Sequence, residues 1–596
     1  MAPPPRRAAR LLRYLPFSQS TTALQALAYL LGISLFSISF LVFLNSSVSF
    51  VITDLIGIKE GVGDIVGTLG FVDEIVALVA CPIWGLVSDR SGVRYVAVVA
   101  YVIIGLALFL FVQARNVYPQ LLLARIFFAV GATAAATMVT AILPSLTDDN
   151  QPPADIAPKT PRNNRQSVAL SVDSEVTITP ERFRSSSNGT SESGDERHSD
   201  GRPEMKGKPG ALAGYVGLFT GCGALVALVL FLPLPTRFGN ISDVTIGEAV
   251  KYSFYVVGTV SFAVAIFVFF GLRGLRGEDG KGWRMLLGLR GSTPEGTAPG
   301  YLAAPKHKVI PYWRLLKDSV RLGFTDSDIA LGYLGGFVAR ASTVAISLFI
   351  PLFVNAFFIR NGYCKGSPND TSPELKKECH KAYVLASILT GVAQLVGLLL
   401  APVFGYLSSR TGKLDYPIVV ATTCGIVGYL VFAQLSSPEF KDTDGRGGSP
   451  AVFLCAALIG ISQIGAIVCS LGSLGRGVLK VDVINVLTAP SGDQETVVEA
   501  LGAPDDTVPL LGIASALPDE DLVSRVRLKG SVAGVYSWCG GAAILLLTKL
   551  GGYLFDVWST GAPFYLMAIF NGLLLLSSIA ISIGKTARSR RNTYHA

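Results

Sequence analysis

The chain predicts an all-α membrane protein: twelve transmembrane helices in two pseudo-symmetric six-helix bundles. Two observations carry that prediction. Half of the 596 residues are hydrophobic and only 15% are charged, with a mean hydropathy of +0.50, too little charge to cover the surface of a soluble domain. In addition, one segment occurs twice. Ala80-Cys-Pro-Ile-Trp-Gly-Leu-Val-Ser-Asp-Arg-Ser-Gly92 returns as Ala401-Pro-Val-Phe-Gly-Tyr-Leu-Ser-Ser-Arg-Thr-Gly412. Each copy closes a long apolar run, has Pro three residues before Gly, and turns through Arg-x-Gly. Gly85 therefore corresponds to Gly405 and Arg90 to Arg410, an offset of about 320 residues that marks a duplicated membrane unit.

The apolar residues cluster into runs of about 20, enough to cross about 30 Å of hydrocarbon at 1.5 Å per residue. Inside such runs the backbone must satisfy its own hydrogen bonds, so the runs are helices. Twelve spans follow, near 27–52, 64–87, 95–113, 120–143, 211–233, 252–272, 329–357, 382–404, 417–435, 451–475, 531–549 and 562–584. The first is too long for the core of a cleavable signal peptide.

The net charge of +8 belongs to the flanks of these spans. Arg6, Arg7, Arg10 and Arg13 precede the first, and Lys585, Arg588, Arg590 and Arg591 follow the last. This positive-inside pattern puts both termini in the cytoplasm and removes the reason to expect a nucleic-acid partner. The chain divides into a cytoplasmic N-terminus (1–26), an N-terminal bundle (27–272), an inter-bundle linker (273–328), a C-terminal bundle (329–584) and a cytoplasmic tail (585–596). Each bundle carries a cytoplasmic insertion, 145–210 and 476–530. The first is rich in Ser, Pro and charge and reads as disordered; the second is more mixed.

The repeat extends past its opening segment. Gly210 corresponds to Gly530, Gly214 to Gly534 and Gly221 to Gly541, while Ser37, Phe43 and Asn45 are echoed by Ser347, Phe353 and Asn355. Of eight Cys, six lie in apolar runs as small packing residues. Cys364 and Cys379 instead share one polar loop on the outer side, where a disulfide is expected. The sequons at Asn240 and Asn369 also fall outside, and are the expected glycosylation sites.

The stretch Gly85–Arg94 resembles the signature loop of the major facilitator superfamily: Gly, three residues, Asp, Arg, one residue, Gly, then Arg. With twelve spans and the repeat, the chain is similar to the twelve-helix, fungal-type members, over the membrane spans. The resemblance implies a conformational latch at the cytoplasmic side made of Gly85, Asp89, Arg90, Gly92 and Arg94, with Gly405, Arg410 and Gly412 as its second copy. Asp89 sits where a carboxylate caps a neighbouring helix N-terminus. Asp148 and Asp149 can supply acidic partners for Arg90 or Arg94. Ser409 stands where Asp89 does, so the latch is expected to be stronger in the first copy. Span four, Leu123-Ala-Arg125-Ile-Phe-Phe-Ala-Val-Gly131, resembles a second family motif whose Arg is implicated in proton transfer. Span five lacks the family's antiporter Gly-Pro, which leaves the direction of transport open.

The coupling candidates are Asp73, Glu74, Arg125 and Arg340. Glu74 lies eleven residues before Gly85, about 16 Å along the helix and close to the membrane midplane. A charge there is costly unless it faces a cavity or a partner. Neighbouring residues on a helix point about 100° apart, so Asp73 and Glu74 are not expected to face one site. In the repeat Glu74 aligns with Gln394 and Asp73 with Ala393. The titratable chemistry therefore sits in the first half, and Arg340 on span seven is the expected partner for one of the two acids. Asn45, Thr133, Thr137, Asn355, Ser462 and Gln463 are candidates to line a central cavity.

Absences exclude other classes. The four histidines lie outside the spans, no Gly-x-x-x-x-Gly-Lys-Ser/Thr loop occurs, and there is no Cys-x-x-Cys or His-Glu-x-x-His. No cofactor, metal or catalytic constellation is expected, and the chain does not read as an enzyme. The expectation is a monomeric secondary active transporter working by alternating access on a small organic solute, proton-coupled, in the plasma or vacuolar membrane. Its partners would be that solute, protons and the lipid bilayer. The competing expectation is a transport-silent sensor or scaffold of the same fold, signalling through its cytoplasmic loops.

Overall fold

A computed structural model describes residues 15–147, 209–286, 311–361, 380–410, 415–440, 448–479 and 528–594, apart from 19, 59–60, 242–243, 277 and 279–280. Cys364, Cys379, Asn369, Gly412, Asp148 and Asp149 lie outside the described residues, as do most of both insertions.

Among the described residues, twelve helices are long and apolar enough to cross a membrane. They are α1 Ala23–Ile56, α2 Ile65–Ser91, α3 Val93–Phe111, α4 Val117–Thr147, α5 Pro209–Gly239, α6 Ile246–Gly271, α7 Ser327–Arg360, α8 Val384–Arg410, α9 Tyr416–Ala433, α10 Ala451–Leu479, α11 Lys529–Val557 and α12 Ala562–Ala587. Each expected span is found, most of them a few residues longer, because polar residues continue helices beyond the hydrocarbon. A further helix, Tyr312–Thr325, lies between α6 and α7.

The first six helices pack into one half and the last six into another, with α2 against α11 and α5 against α8 between the halves. The duplication is visible in the packing. In the first half Phe254 holds Phe43 at 5.0 Å and Phe111 at 5.7 Å between ring centroids. In the second, Phe564 holds Phe353 at 5.7 Å and Phe432 at 4.9 Å. These aromatic clusters tie together the corresponding helices of each half, and such pairs add to the packing that joins helices in lipid. Wide π-helical turns also recur in register, Ala227–Phe231 in α5 and Leu547–Gly551 in α11.

The register of repeated glycines explains how the halves meet. A Cβ on Gly85 would lie 2.5 Å from the Gly530 carbonyl oxygen and 2.9 Å from Gly534 Cα. A Cβ on Gly405 would lie 2.6 Å from Gly214 Cα. The residues that the repeat pairs in sequence thus cross between halves in space, letting backbones approach as only small residues allow.

Candidate functional site

Two clusters of charge stand out, one near mid-depth and one at the end of the bundle that carries the Gly85–Arg94 turn.

At mid-depth, Asp73 of α2 faces Arg125 of α4. Arg125 Nε donates to Asp73 Oδ1 and Oδ2, both at 2.9 Å, and Nη2 donates to Asp73 Oδ2 and, at 2.5 Å, to Asn45 Oδ1 on α1. The Arg125 side chain is 3% exposed. Its Nη1 has no partner among the described residues. A fork of this kind matches the planar guanidinium to a carboxylate and fixes both side chains. The pair lies wholly within the first half.

Glu74 points away from that pair, as the 100° step requires, and is only half-buried. Among the described residues it forms no hydrogen bond or ion pair, but it lies in the field of Asp73 first, then of Arg340 across the boundary between halves, and of Arg125. Arg340 is also half-buried. Its stem lies against Gly540 of α11, whose Cβ would meet Arg340 Cγ at 2.8 Å, and the neighbouring Gly541 faces Ala77 and Leu78 of α2. Arg340 thus stands about one turn from the level of Glu74.

Arg340 does not form an ion pair with either acid among the described residues. The acid that is paired, Asp73, takes Arg125 from its own half. The physical reason is packing: α2 and α4 lie side by side in one half, whereas Arg340 comes from α7 across the boundary.

The cavity candidates separate into two groups. Asn45 is exposed and Thr133 and Asn355 are half-buried. Thr137, Ser462 and Gln463 are instead buried. Thr137 donates to the Thr133 carbonyl, Ser462 to Asn571 Oδ1 of α12 at 3.0 Å, and Gln463 to Thr343 Oγ1 of α7 at 3.1 Å. The Thr137 bond stays within α4, whereas those of Ser462 and Gln463 join neighbouring helices, as polar groups inside a bundle commonly do.

At the turn end, Asp89 is buried and caps α11. It accepts from Gly530 N and Ser531 N, both at 2.7 Å, and from Ser531 Oγ. The carboxylate thereby satisfies free amides at a helix start and meets the positive end of its dipole. Gly92 follows with φ +97°, in the left-handed region that favours glycine, and a Cβ there would strike Glu278 Oε2 at 2.6 Å. Arg90 lies 3.4 Å above the Tyr312 ring, and Arg94 lies 4.2 Å from the Phe269 ring, cation–π contacts that hold the turn.

Sequence reasoning missed the ionic centre of this region. Glu278, in the inter-bundle linker, accepts from Val93 N at 2.7 Å, pairs with Lys529 at 2.5 Å and with Lys281 at 3.2 Å. Lys529 is 0% exposed and also donates to Ser145 Oγ at 2.6 Å. Burial pushes the Glu278 carboxyl up, but Lys529 and Lys281 outweigh it and hold the group below the usual carboxylate value. Lys529 was visible as the polar residue opening α11, but Glu278 carried no pattern of its own.

The second copy is built differently. Ser409 donates to the Tyr406 carbonyl at 2.7 Å and is half-buried, and Arg410 lies 4.4 Å from the Tyr406 ring. Gly210, opening α5, rests against Ser408, and Arg476 bridges the Ser408 carbonyl and Asp415, each at 3.3 Å. Ser409 gives α5 no counterpart of the carboxylate cap that Asp89 gives α11.

The family model described as Major Facilitator Superfamily matches residues 35–154. No curated protein matches. Among solved structures, FucP, a transporter of that superfamily in the outward conformation, is 11% identical with a TM-score of 0.50, covering 94% of this chain and 98% of its own. The proton:xylose symporter XylE, bound to 6-bromo-6-deoxy-D-glucose, is 12% identical with a TM-score of 0.48, covering 93% and 94%. The nucleoside transporter NupG is 11% identical with a TM-score of 0.42, covering 94% and 99%. The family model thus covers the first four helices, and the twelve membrane helices in two halves share the fold of FucP.

Proposed function

We propose that the chain is a secondary active transporter that carries a small organic solute by alternating access, with a proton as the coupling ion. The observation that carries this reading is the half-buried Glu74, set near mid-depth without a direct ionic partner among the described residues and facing Arg340 of the opposite half. An ion in that position is costly, so proton binding, or closer approach of Arg340, lowers its energy. Either change alters how the halves attract each other. The adjacent Asp73–Arg125–Asn45 fork holds α2, α4 and α1 in register while this occurs.

The mostly neutral helices around these charges favour a moderately polar solute over a multiply charged one. The positive-inside pattern of the flanks supports cytoplasmic termini and a cytoplasmic turn end. The two sequons and the Cys364/Cys379 loop support a secretory-route membrane, plasma or vacuolar.

The test is transport in proteoliposomes that contain no other protein. A metabolite panel with an imposed pH gradient first identifies a solute that accumulates. Glu74→Gln is then expected to abolish accumulation against a gradient while solute exchange persists. Accumulation by this variant with unaltered pH dependence overturns the coupling role. Failure of every solute in the panel favours a transport-silent sensor.

A further inference from the structure

The linker helix Tyr312–Thr325 has three distinct faces. Leu315 and Ser319 are buried against the bundle. The Ser319 carbonyl accepts from Tyr333 OH of α7 at 3.1 Å, and Gly323 abuts the same ring. Tyr333 belongs to the second turn of α7, so the helix lies alongside the start of a membrane span and not beyond it. Asp326 alone separates the two helices, capping α7.

The outward face carries residues that soluble surfaces avoid. Trp313 is 75% exposed, Val320 42% and Phe324 88%. Their spacing, with Lys317 between them, is i, i+4, i+7, i+11, a single stripe on a helix. Arg314 and Arg321 form the strip beside it, both exposed, with Arg314 4.0 Å from Asp318. Large aromatic residues interleaved with Lys and Arg at the end of a span match the chemistry of a bilayer interface, where rings sit at headgroup level and cations meet lipid phosphates. A protein partner would leave the level of the helix beside α7 unexplained.

We propose that Tyr312–Thr325 docks on the headgroup layer of the bilayer and binds anionic lipid. Trp313, Val320 and Phe324 enter the interface, and Lys317, Arg321 and Arg314 hold the headgroups. The first residue of the same helix, Tyr312, lies under Arg90 of the signature turn, so the docked helix is anchored at both the lipid and the turn.

The test uses the full chain in nanodiscs of phosphatidylcholine, alone or mixed with phosphatidylserine, at equal total bromine, the bromine carried by phosphatidylcholine in the first and by phosphatidylserine in the second. The chain has five Trp, so the Trp313 signal is read as the difference between the chain and Trp313→Phe. Bromine is expected to quench Trp313, and more strongly when phosphatidylserine is present. Each basic residue at such a surface enriches anionic lipid roughly fivefold. Lys317→Glu with Arg321→Glu should therefore remove the phosphatidylserine-dependent part, as should high salt on the unaltered chain, which needs no variant to fold. Equal quenching in both discs overturns the proposal, because the face then inserts without recognising charge. Absence of quenching also overturns it and assigns the face to another segment or a second copy of this chain.

Discussion

Helices α2 and α8 are copies of one segment put to different uses. Both contain an internal proline, Pro82 and Pro402, and both close on a glycine that meets the other half. Yet α2 carries Asp73, Glu74 and Asp89 where α8 carries Ala393, Gln394 and Ser409. The surroundings changed with the residues. Asp73 meets the Arg125 guanidinium of α4, whereas Ala393 is buried against Gly460 of α10, whose Cβ would lie 2.1 Å from the Ala393 carbonyl oxygen. One half spends its helix contact on a buried ion pair and the other on close backbone packing. Duplication preserved the surfaces by which the halves cross, and left each half free to differ inside.

The largest effect should come from breaking the ion pair. Arg125→Ala leaves a half-buried Asp73 without its partner, and is expected to destabilise the protein by about 3 kcal/mol, read as a fall in the thermal unfolding temperature of the purified chain. The matching change in the second half, Gly460→Ala, should cost about 1–3 kcal/mol by overpacking. Equal losses from the two would remove the contrast between an ionic and a packed contact.

At the turn end the contrast is smaller. Asp89→Ala uncaps α11 and leaves amides at its start without their acceptor, a loss of about 0.5–2 kcal/mol for the cap alone. Ser409→Ala removes a hydroxyl that bonds only to a carbonyl of its own helix and should stay within about 0.5 kcal/mol. A disulfide engineered between the starts of α2's turn and α11 reports closure directly. Its yield should drop with Asp89→Ala and not with Ser409→Ala.

The smallest effect is on pH dependence. Glu278 is held below the usual carboxylate value, so it stabilises the closed turn end wherever an unfolded glutamate is ionised, above about pH 4.3. That contribution is lost only as pH falls through its lower folded value. Closure measured by the same disulfide should therefore be flat between about pH 5 and 8 as far as Glu278 is concerned. Loss of closure near neutral pH that disappears in Glu278→Gln would contradict the depressed value.

Much of the crossing was legible before any coordinates. The repeat equates Gly85 with Gly405 and Gly214 with Gly534, and in space Gly85 meets Gly534 just as Gly405 meets Gly214. Asp89 as a helix cap and Ser409 as its weaker substitute followed from chemistry at a helix end. The ionic centre was not legible. Lys529 and Glu278 are far apart in sequence, and one acid among several in a linker rich in Lys and Arg does not announce a buried partner. Ser462 and Gln463 misled for a related reason: polar residues on a membrane helix look alike whether they face a cavity or a neighbouring helix.

By itself the sequence determined the number of helices, their limits, the duplication and the glycines at which the halves approach. All of these are written in local hydropathy and in a repeated register. Tertiary structure alone decided that Asp73 takes Arg125 and not Arg340, that Glu74 is left without an ionic contact, and that Glu278 reaches Lys529. Those outcomes depend on how each helix is rotated and which helix stands beside it, and a residue's distance from its partner in space has no counterpart in the spacing of the chain.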